Sequence, residues 1–244
     1  MSHLWIEPHW PAPPGIRACS TLRMGGVSQG DYASFNLAAH VGDDPGHVSA
    51  NRNRLRDSLQ LPAEPFWLTQ VHGNKTIRAK KAKQGPPPEA DASFTAEAGV
   101  VCTVMTADCL PVLFCNRKGN RVAASHAGWR GLAAGVLEST VQALDSNELM
   151  AWLGPAIGPN AFEVGAAVRQ TFLERLGDCH EAFLQIDEHH WLADLYNLAR
   201  MALTRAGVTE VYGGDECTFS DPERFFSYRR DAQTGRMATL IWRE

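Results

Sequence analysis

Apolar residues come in short unbroken runs along this chain, at positions 100–105, 110–114 and 122–125. Runs of this length, bounded by turn signals, predict strands buried on both faces. Each stops at a reactive side chain. The first breaks at Thr106-Ala-Asp-Cys109, and the second begins immediately after it. The third reaches Ser125-His126, where glycines open a turn into a helix expected from about Leu132. A fourth strand is expected over 65–71, where Phe66, Trp67 and Leu68 lead to His72, with 76–79 as its hairpin partner and 90–94 as a further short strand.

Away from these runs, 16–23 reads as a strand ending at Gly25-Gly26. Positions 27–44 form a long polar loop carrying Asn36 and His40. Loops of that length are often functional. The pattern over 45–59 predicts a helix, with Asp44 as N-cap, Pro45 at the first helical position and Val48, Leu55 and Leu59 on one face. Helices are also expected over 132–144, 164–176 and 193–206. Strands are expected over 149–153, 209–212, 224–229 and 237–242, the last two joined by a hairpin loop over 231–235. Two Gly-Pro pairs at 154–159 require a sharp turn. There is no internal repeat and no linker, and strands do not alternate cleanly with helices. One α+β domain over 1–244, built on mixed sheets, follows.

Composition narrows the function classes. The chain is 44% apolar and 20% charged, ordinary for a water-soluble domain. Its net charge of −4 argues against a nucleic-acid partner. The basic stretch at 75–83, followed by Pro86-Pro-Pro88, reads as a solvated strand edge. No signal peptide opens the sequence and no run is long enough to span a bilayer, so a cytoplasmic protein without a membrane partner is expected. The six cysteines lack framework spacing, as in reduced compartments. Cys19, Cys102 and Cys115 read as small buried hydrophobes, and Cys179 as a loop residue.

Two imidazoles and one thiolate, from His72, Cys109 and His126, match a catalytic zinc site with three protein ligands and one open position. The plainer alternative is a buried cysteine and two surface histidines in turns. His189-His190 reads as an exposed turn. Arg23, Asp108, Arg130 and Arg229-Arg230 are candidates either for anion contacts or for structural ion pairs, such as Asp108 or Asp91 with Arg130.

The blocks Gln70-Val-His-Gly73, Thr106-Ala-Asp-Cys-Leu-Pro111, His126-Ala-Gly-Trp-Arg-Gly131, Trp152-Leu-Gly-Pro-Ala-Ile-Gly-Pro159 and Phe225-Phe-Ser-Tyr-Arg-Arg-Asp231 together resemble the bacterial YfiH family over essentially the whole chain. That resemblance implies an α+β single-domain sandwich of two mixed β-sheets with flanking helices, and zinc on His72, Cys109 and His126. Family members have been called purine nucleoside phosphorylases with adenosine deaminase activity and laccase-like polyphenol oxidases, and have been associated with editing of peptidoglycan precursors. Three readings result. The first is a zinc-dependent phosphorylase of adenosine, inosine and guanosine, with Arg23, Asn36, His40 and Arg130 contacting substrate or phosphate and Asp108 or His40 carrying protons for deamination. The second is a copper oxidase with Met105 as a weak axial ligand, disfavoured by the lack of any His-x-His pair. The third is a metal-free hydrolase of a peptidoglycan-precursor amide, with Cys109 as nucleophile and His126 or His72 as base. A closed structural zinc site would require a fourth ligand. The expected assembly is a monomer or a weak homo-oligomer.

Overall fold

A strand buried on both faces needs a layer against each, and the three apolar runs lie in two stacked sheets whose facing sides share a core. In this computed structural model, which describes residues 4–81 and 85–244, β5 (Cys102–Thr106) edges a four-stranded sheet. Its order is β1 (Trp5–Ile6), β2 (Ile16–Thr21), β13 (Met237–Arg243), β5, with antiparallel neighbours throughout. The next two runs, β6 (Leu110–Asn116) and β7 (Val122–Ala127), lie inside a six-stranded mixed sheet. There the order is β12 (Glu210–Gly213), β8 (Leu149–Leu153), β6, β7, β4 (Ala92–Thr95), β3 (Thr76–Arg78). The β12–β8 and β3–β4 pairs are parallel. The chain therefore leaves one layer at Thr106 and enters the other at Leu110, which makes Ala107, Asp108 and Cys109 the corner between them.

Side-chain alternation along β6 explains why this run is apolar throughout. Leu113 and Cys115 face the other sheet, in one core with Cys102, Val104 and Ile241. Val112 and Phe114 face the opposite way, into a core with Leu137 of α3 (Val136–Leu144), Phe172 of α4 (Ala166–Leu176) and Leu198 of α5 (Leu195–Arg205). The α+β class and the two stacked sheets agree with expectation. A third, three-stranded antiparallel sheet is added, formed by β10 (Phe183–Gln185), β11 (His190–Ala193) and β9 (Glu163–Gly165). Its strands are short and largely exposed, so their pattern was too weak to read.

Helix α1 (Pro45–Leu59) begins where its cap requires: the Asp44 side chain accepts from the backbone N–H of Gly46 and His47. Three expectations fail. Positions 65–71 form no strand, only isolated bridges at Phe66 and Thr69: the N–H of Phe66 donates to Val101 O and that of Thr69 to Pro88 O, two different neighbours, before Val71, His72 and Gly73 turn to the Asp91 carboxylate. Strand β3 consequently pairs with β4. Positions 224–229 form no strand either: Ser227 caps the short helix α6 (Tyr228–Asp231), and β13 inserts between β2 and β5. The helix expected over 132–144 is broken at Gly135, whose φ of +90° separates α2 (Trp129–Ala133) from α3.

Cys19, Cys102 and Cys115 are buried as expected, and so is Cys179, which the sequence placed in a loop. At the end of the basic stretch and just beyond it, residues 82–84 lie outside the described residues. Among the described residues, no helix is long and apolar enough to cross a membrane.

Candidate metal centre and its cavity

Three elements deliver the three expected ligands. Cys109 completes the corner between the sheets. His126 sits near the end of β7, opposite Pro111 of β6, and is 2% exposed. His72 lies on the loop tied to Asp91. Their ligating atoms all fall within 4.8 Å of one another. Cys109 Sγ is 3.9 Å from His72 Nε2, and the two imidazoles meet edge-on with ring centroids 4.8 Å apart. The backbone is bent to achieve this: φ is +60° at His72 and +92° at Asp108, in a region non-glycine residues seldom occupy. Gly128 lets the groups approach, since a Cβ there would stand 2.8 Å from Cys109 Sγ.

Asp91, fully buried, organises this centre. One carboxylate accepts from His72 N at 2.9 Å, Gly73 N at 2.8 Å, Val71 N at 3.3 Å and His126 Nδ1 at 2.9 Å. It therefore positions the backbone of one histidine and the ring of the other. With the proton on His126 Nδ1, the lone pair of Nε2 is free for a metal, the arrangement that carboxylate–histidine pairs provide at metal sites.

The charges follow from these contacts. Burial would raise the Asp91 pKa, but the His126 bond and the N–H groups of Gly73 and His72 outweigh it and hold the carboxyl below its ordinary value. Burial also opposes ionisation of Cys109, yet the charge and hydrogen bond of His126, with those of His72, bring its pKa down to about 6. His126 is raised to about 9: burial disfavours its cation, and the charges of Cys109 and Asp91 prevail. In the metal-free protein the pair is a thiolate beside an imidazolium.

These groups open into a cavity of about 440 Å³. His40 from the long polar loop, Ile157 from the Gly-Pro turn, Asp108 and Arg130 all line it, as the sequence suggested. Two expected contacts do not reach it. Arg23 is spent on structure: its guanidinium donates to the carbonyls of Ala33 and Pro222 and stacks 4.8 Å over Phe226. Asn36 is fully buried; its Oδ1 accepts from Ala38 N and Arg236 N, and its Nδ2 donates to Ala38 O and Asp43. Asp108 is also committed, accepting from Thr218 Oγ1 and Arg229 N, both at 2.6 Å. Neither Asp91 nor Asp108 pairs with Arg130, which stacks over Trp129 at 4.5 Å. Of the two neighbouring arginines, Arg230 pairs with Asp231 while Arg229 turns to the cavity. A separate cavity of about 500 Å³ beside Tyr196 and Cys217 contains none of the three ligands.

Sequence reasoning offered Asp91 only as a partner for Arg130, not for His126, and missed Arg236. A signal existed for the first: an acid set between alanines at the start of a buried strand requires a partner. Nothing local marks Arg236, which reaches the lining only because β13 inserts into the first sheet.

An Escherichia coli protein named purine nucleoside phosphorylase YfiH is 54% identical over 239 residues, covering 97% of this chain and 98% of its own. A family model described as multi-copper polyphenol oxidoreductase laccase matches residues 17–244. The chain belongs to the YfiH family. A Pseudomonas aeruginosa protein named purine nucleoside phosphorylase is also 54% identical, over 98% of both chains. The YfiH-family fold recurs in a Neisseria meningitidis crystal structure, 49% identical with a TM-score of 0.95 and covering 99% of this chain and all of that one. It recurs again in YlmD from Geobacillus stearothermophilus, 31% identical with a TM-score of 0.94, covering 100% and 97%.

Proposed function

We propose that this protein is a zinc-dependent purine nucleoside phosphorylase acting on adenosine, inosine and guanosine in the cytoplasm, as a monomer or weak homo-oligomer. The observation that carries the reading is the meeting of His72, Cys109 and His126 on a cavity large enough for a nucleoside, in a chain 54% identical to proteins named for that activity. The donor set fits zinc. Tetrahedral bonds of about 2.0–2.3 Å place ligand atoms roughly 3.3–3.6 Å apart, so the 3.9 Å between Cys109 and His72 needs a small contraction and the full set, within 4.8 Å, a closure of about 1 Å. When bound, zinc supplies a positive charge that draws electron density from an electronegative atom of the substrate.

The protein's own groups do the rest. Met105, Ile157, Phe162 and Tyr228 give the cavity an apolar wall suited to a purine face. The cavity arginines draw phosphate in, and Asp91 holds the His126 proton on Nδ1. In phosphorolysis a phosphate oxygen bonds to C1′ of the ribose as the C1′–N9 bond breaks. Its electron pair goes to the purine, which takes up a proton. Preorganised donors and charges stabilise that developing charge. Adenosine deamination requires a proton carrier besides. With both oxygens of Asp108 engaged, His40 is the residue left for that role. A multi-copper oxidase needs several metal centres; among the described residues, His72, Cys109 and His126 are the one group of three or more ligating side chains, which ranks copper below zinc.

The lowered Cys109 pKa supports a second reading, a metal-free cysteine hydrolase acting on a peptidoglycan-precursor amide. Metal analysis of protein purified without added metal separates the readings. Zinc-loaded wild type should release free purine from adenosine and inosine only with phosphate, and Cys109→Ala should lose zinc and turnover together. Full phosphorolysis by Cys109→Ala, or none by zinc-loaded wild type, would refute the leading reading.

A further inference from the structure

The cavity is lined by three arginines, Arg130, Arg229 and Arg236, and by a single carboxylate, Asp108. That carboxylate already accepts two short hydrogen bonds from Thr218 and the Arg229 backbone. Among the described residues, none of the three arginines forms an ion pair, whereas Arg224 and Arg230 nearby in sequence both do. A protein of net charge −4 therefore gathers uncompensated positive charge at one place.

Arg236 is the most constrained of the three. Its Nη1 donates to the carbonyls of Thr234 and Gly235, at 2.8 and 2.9 Å, and its backbone N–H donates to the buried Asn36. These bonds fix the guanidinium and, among the described residues, leave Nη2 and Nε without an acceptor. Burial lowers its pKa, and the negative charges of Cys109 and Asp108 partly restore it, which reflects its nearness to the metal centre. Arg229 is held by one bond, from Nη1 to the carbonyl of Glu163. His40 lines the same cavity, and the charges of Arg236 and Arg52 add to burial in keeping its ring neutral. A half-buried cation with a free donor edge is costly unless an anion completes it. The planar guanidinium fork suits a tetrahedral oxyanion.

We propose that Arg236 and Arg229, with His40 beside them, form the oxyanion subsite of the cavity and bind a phosphate dianion next to the His72–Cys109–His126 centre. The assignment rests on the phosphorolytic reading for its role in turnover, but not for binding. It replaces Arg23 and Asn36, which do not line the cavity.

The test measures KM for phosphate and for adenosine separately in the zinc-loaded full chain, for wild type, Arg236→Gln, Arg236→Lys and Arg229→Gln. Arg236→Gln should raise the phosphate KM by about tenfold or more and leave the adenosine KM within about twofold. Arg236→Lys, which keeps the charge and loses the fork, should fall between. Arg229→Gln removes only one structural bond and repeats the measurement if Arg236→Gln folds poorly. Unchanged phosphate KM in both Gln variants, with phosphorolysis intact in wild type, overturns the subsite and leaves the function standing. Calorimetric titration with inorganic phosphate alone reads binding without turnover. If wild type binds phosphate, the Gln variants do not, and no purine is released, the subsite stands and the phosphorylase reading falls. If wild type binds no phosphate, the subsite falls. Titration with adenosine 5′-monophosphate separates the two sources of the dianion: binding lost in Arg236→Gln and stronger than that of inorganic phosphate assigns the subsite to a nucleotide.

Discussion

Removing the Asp91 carboxylate should cost stability and metal affinity together, in separable amounts. Asp91 accepts three short hydrogen bonds, of 2.8–2.9 Å, and one longer one of 3.3 Å. His72 is exposed, so water can replace the carboxylate at the backbone of that loop. His126 is 2% exposed, so its Nδ1–H would be left without any acceptor. A hydrogen bond to a charged group contributes about 1.5–3 kcal/mol net, and stranding its buried partner costs more. For Asp91→Ala we expect a loss of about 3–5 kcal/mol; for Asp91→Asn, which keeps one acceptor oxygen, about 1.5–3 kcal/mol. Losing the carboxylate behind a ligating histidine weakens metal binding by roughly 10–100-fold, or about 1.4–2.7 kcal/mol. Urea unfolding with excess chelator reads the first quantity, and zinc competition against a chromophoric chelator reads the second. Wild-type zinc affinity in a folded Asp91→Asn protein would show that the carboxylate does not set the His126 ring.

Gly128→Ala places a methyl group 2.8 Å from Cys109 Sγ, but the backbone there, at φ −62° and ψ 160°, accommodates alanine. The variant should melt near wild type and still lose zinc, as measured by metal content against Tm. In metal-free protein, iodoacetamide should alkylate Cys109 with a pH midpoint of about 6, and zinc should protect it; a midpoint near 8–9 would contradict the thiolate–imidazolium pair. Asp91 has a depressed pKa, so its contribution is complete above the unfolded value of about 3.9 and is lost as pH falls through the lower folded value. His126 is raised to about 9, so its contribution is complete below about 6.5 and is lost as pH rises through about 9. The Tm of metal-free protein should therefore fall on both sides, and Asp91→Asn should flatten the acid side. The Tyr196 hydroxyl accepts from Ala156 N and faces the carbonyls of Glu216 and Gly154. Tyr196→Phe strands those buried groups and should cost about 1–3 kcal/mol in urea unfolding.

How far the sequence reaches depends on whether a residue's role is local. The runs that became β5, β6 and β7 were legible because burial on both faces demands unbroken apolar sequence. The ligands at their ends stood out because a polar group that interrupts such a run needs a reason. Positions 65–71 misled for the converse reason. Their apolar content comes from packing a loop whose backbone N–H groups are divided among Val101, Pro88 and, at Val71, the Asp91 carboxylate, so no continuous ladder forms. Arg23 and Arg236 show the same limit from opposite sides. Both are arginines followed by methionine, and sequence gives no ground for ranking them. The fold separates them, turning one guanidinium onto carbonyls away from the cavity and placing the other on its lining.

The centre gains its geometry by dividing the work among distant parts of the chain. The corner between the sheets supplies the thiol, and the end of β7 supplies one imidazole. A loop with no ladder of its own supplies the other. Asp91 makes the two histidines a single unit, because any shift of its carboxylate moves a backbone and a ring together. The cavity's positive charge comes from other places, Arg130 on α2, Arg229 on α6 and Arg236 in the loop before β13. Ligand geometry and anion binding are thus held by different elements, so the Asp91 variants should change metal affinity at constant phosphate binding and the Arg236 variants should do the reverse. A variant of either residue that alters both in proportion would mean that the two halves of the cavity are not independent.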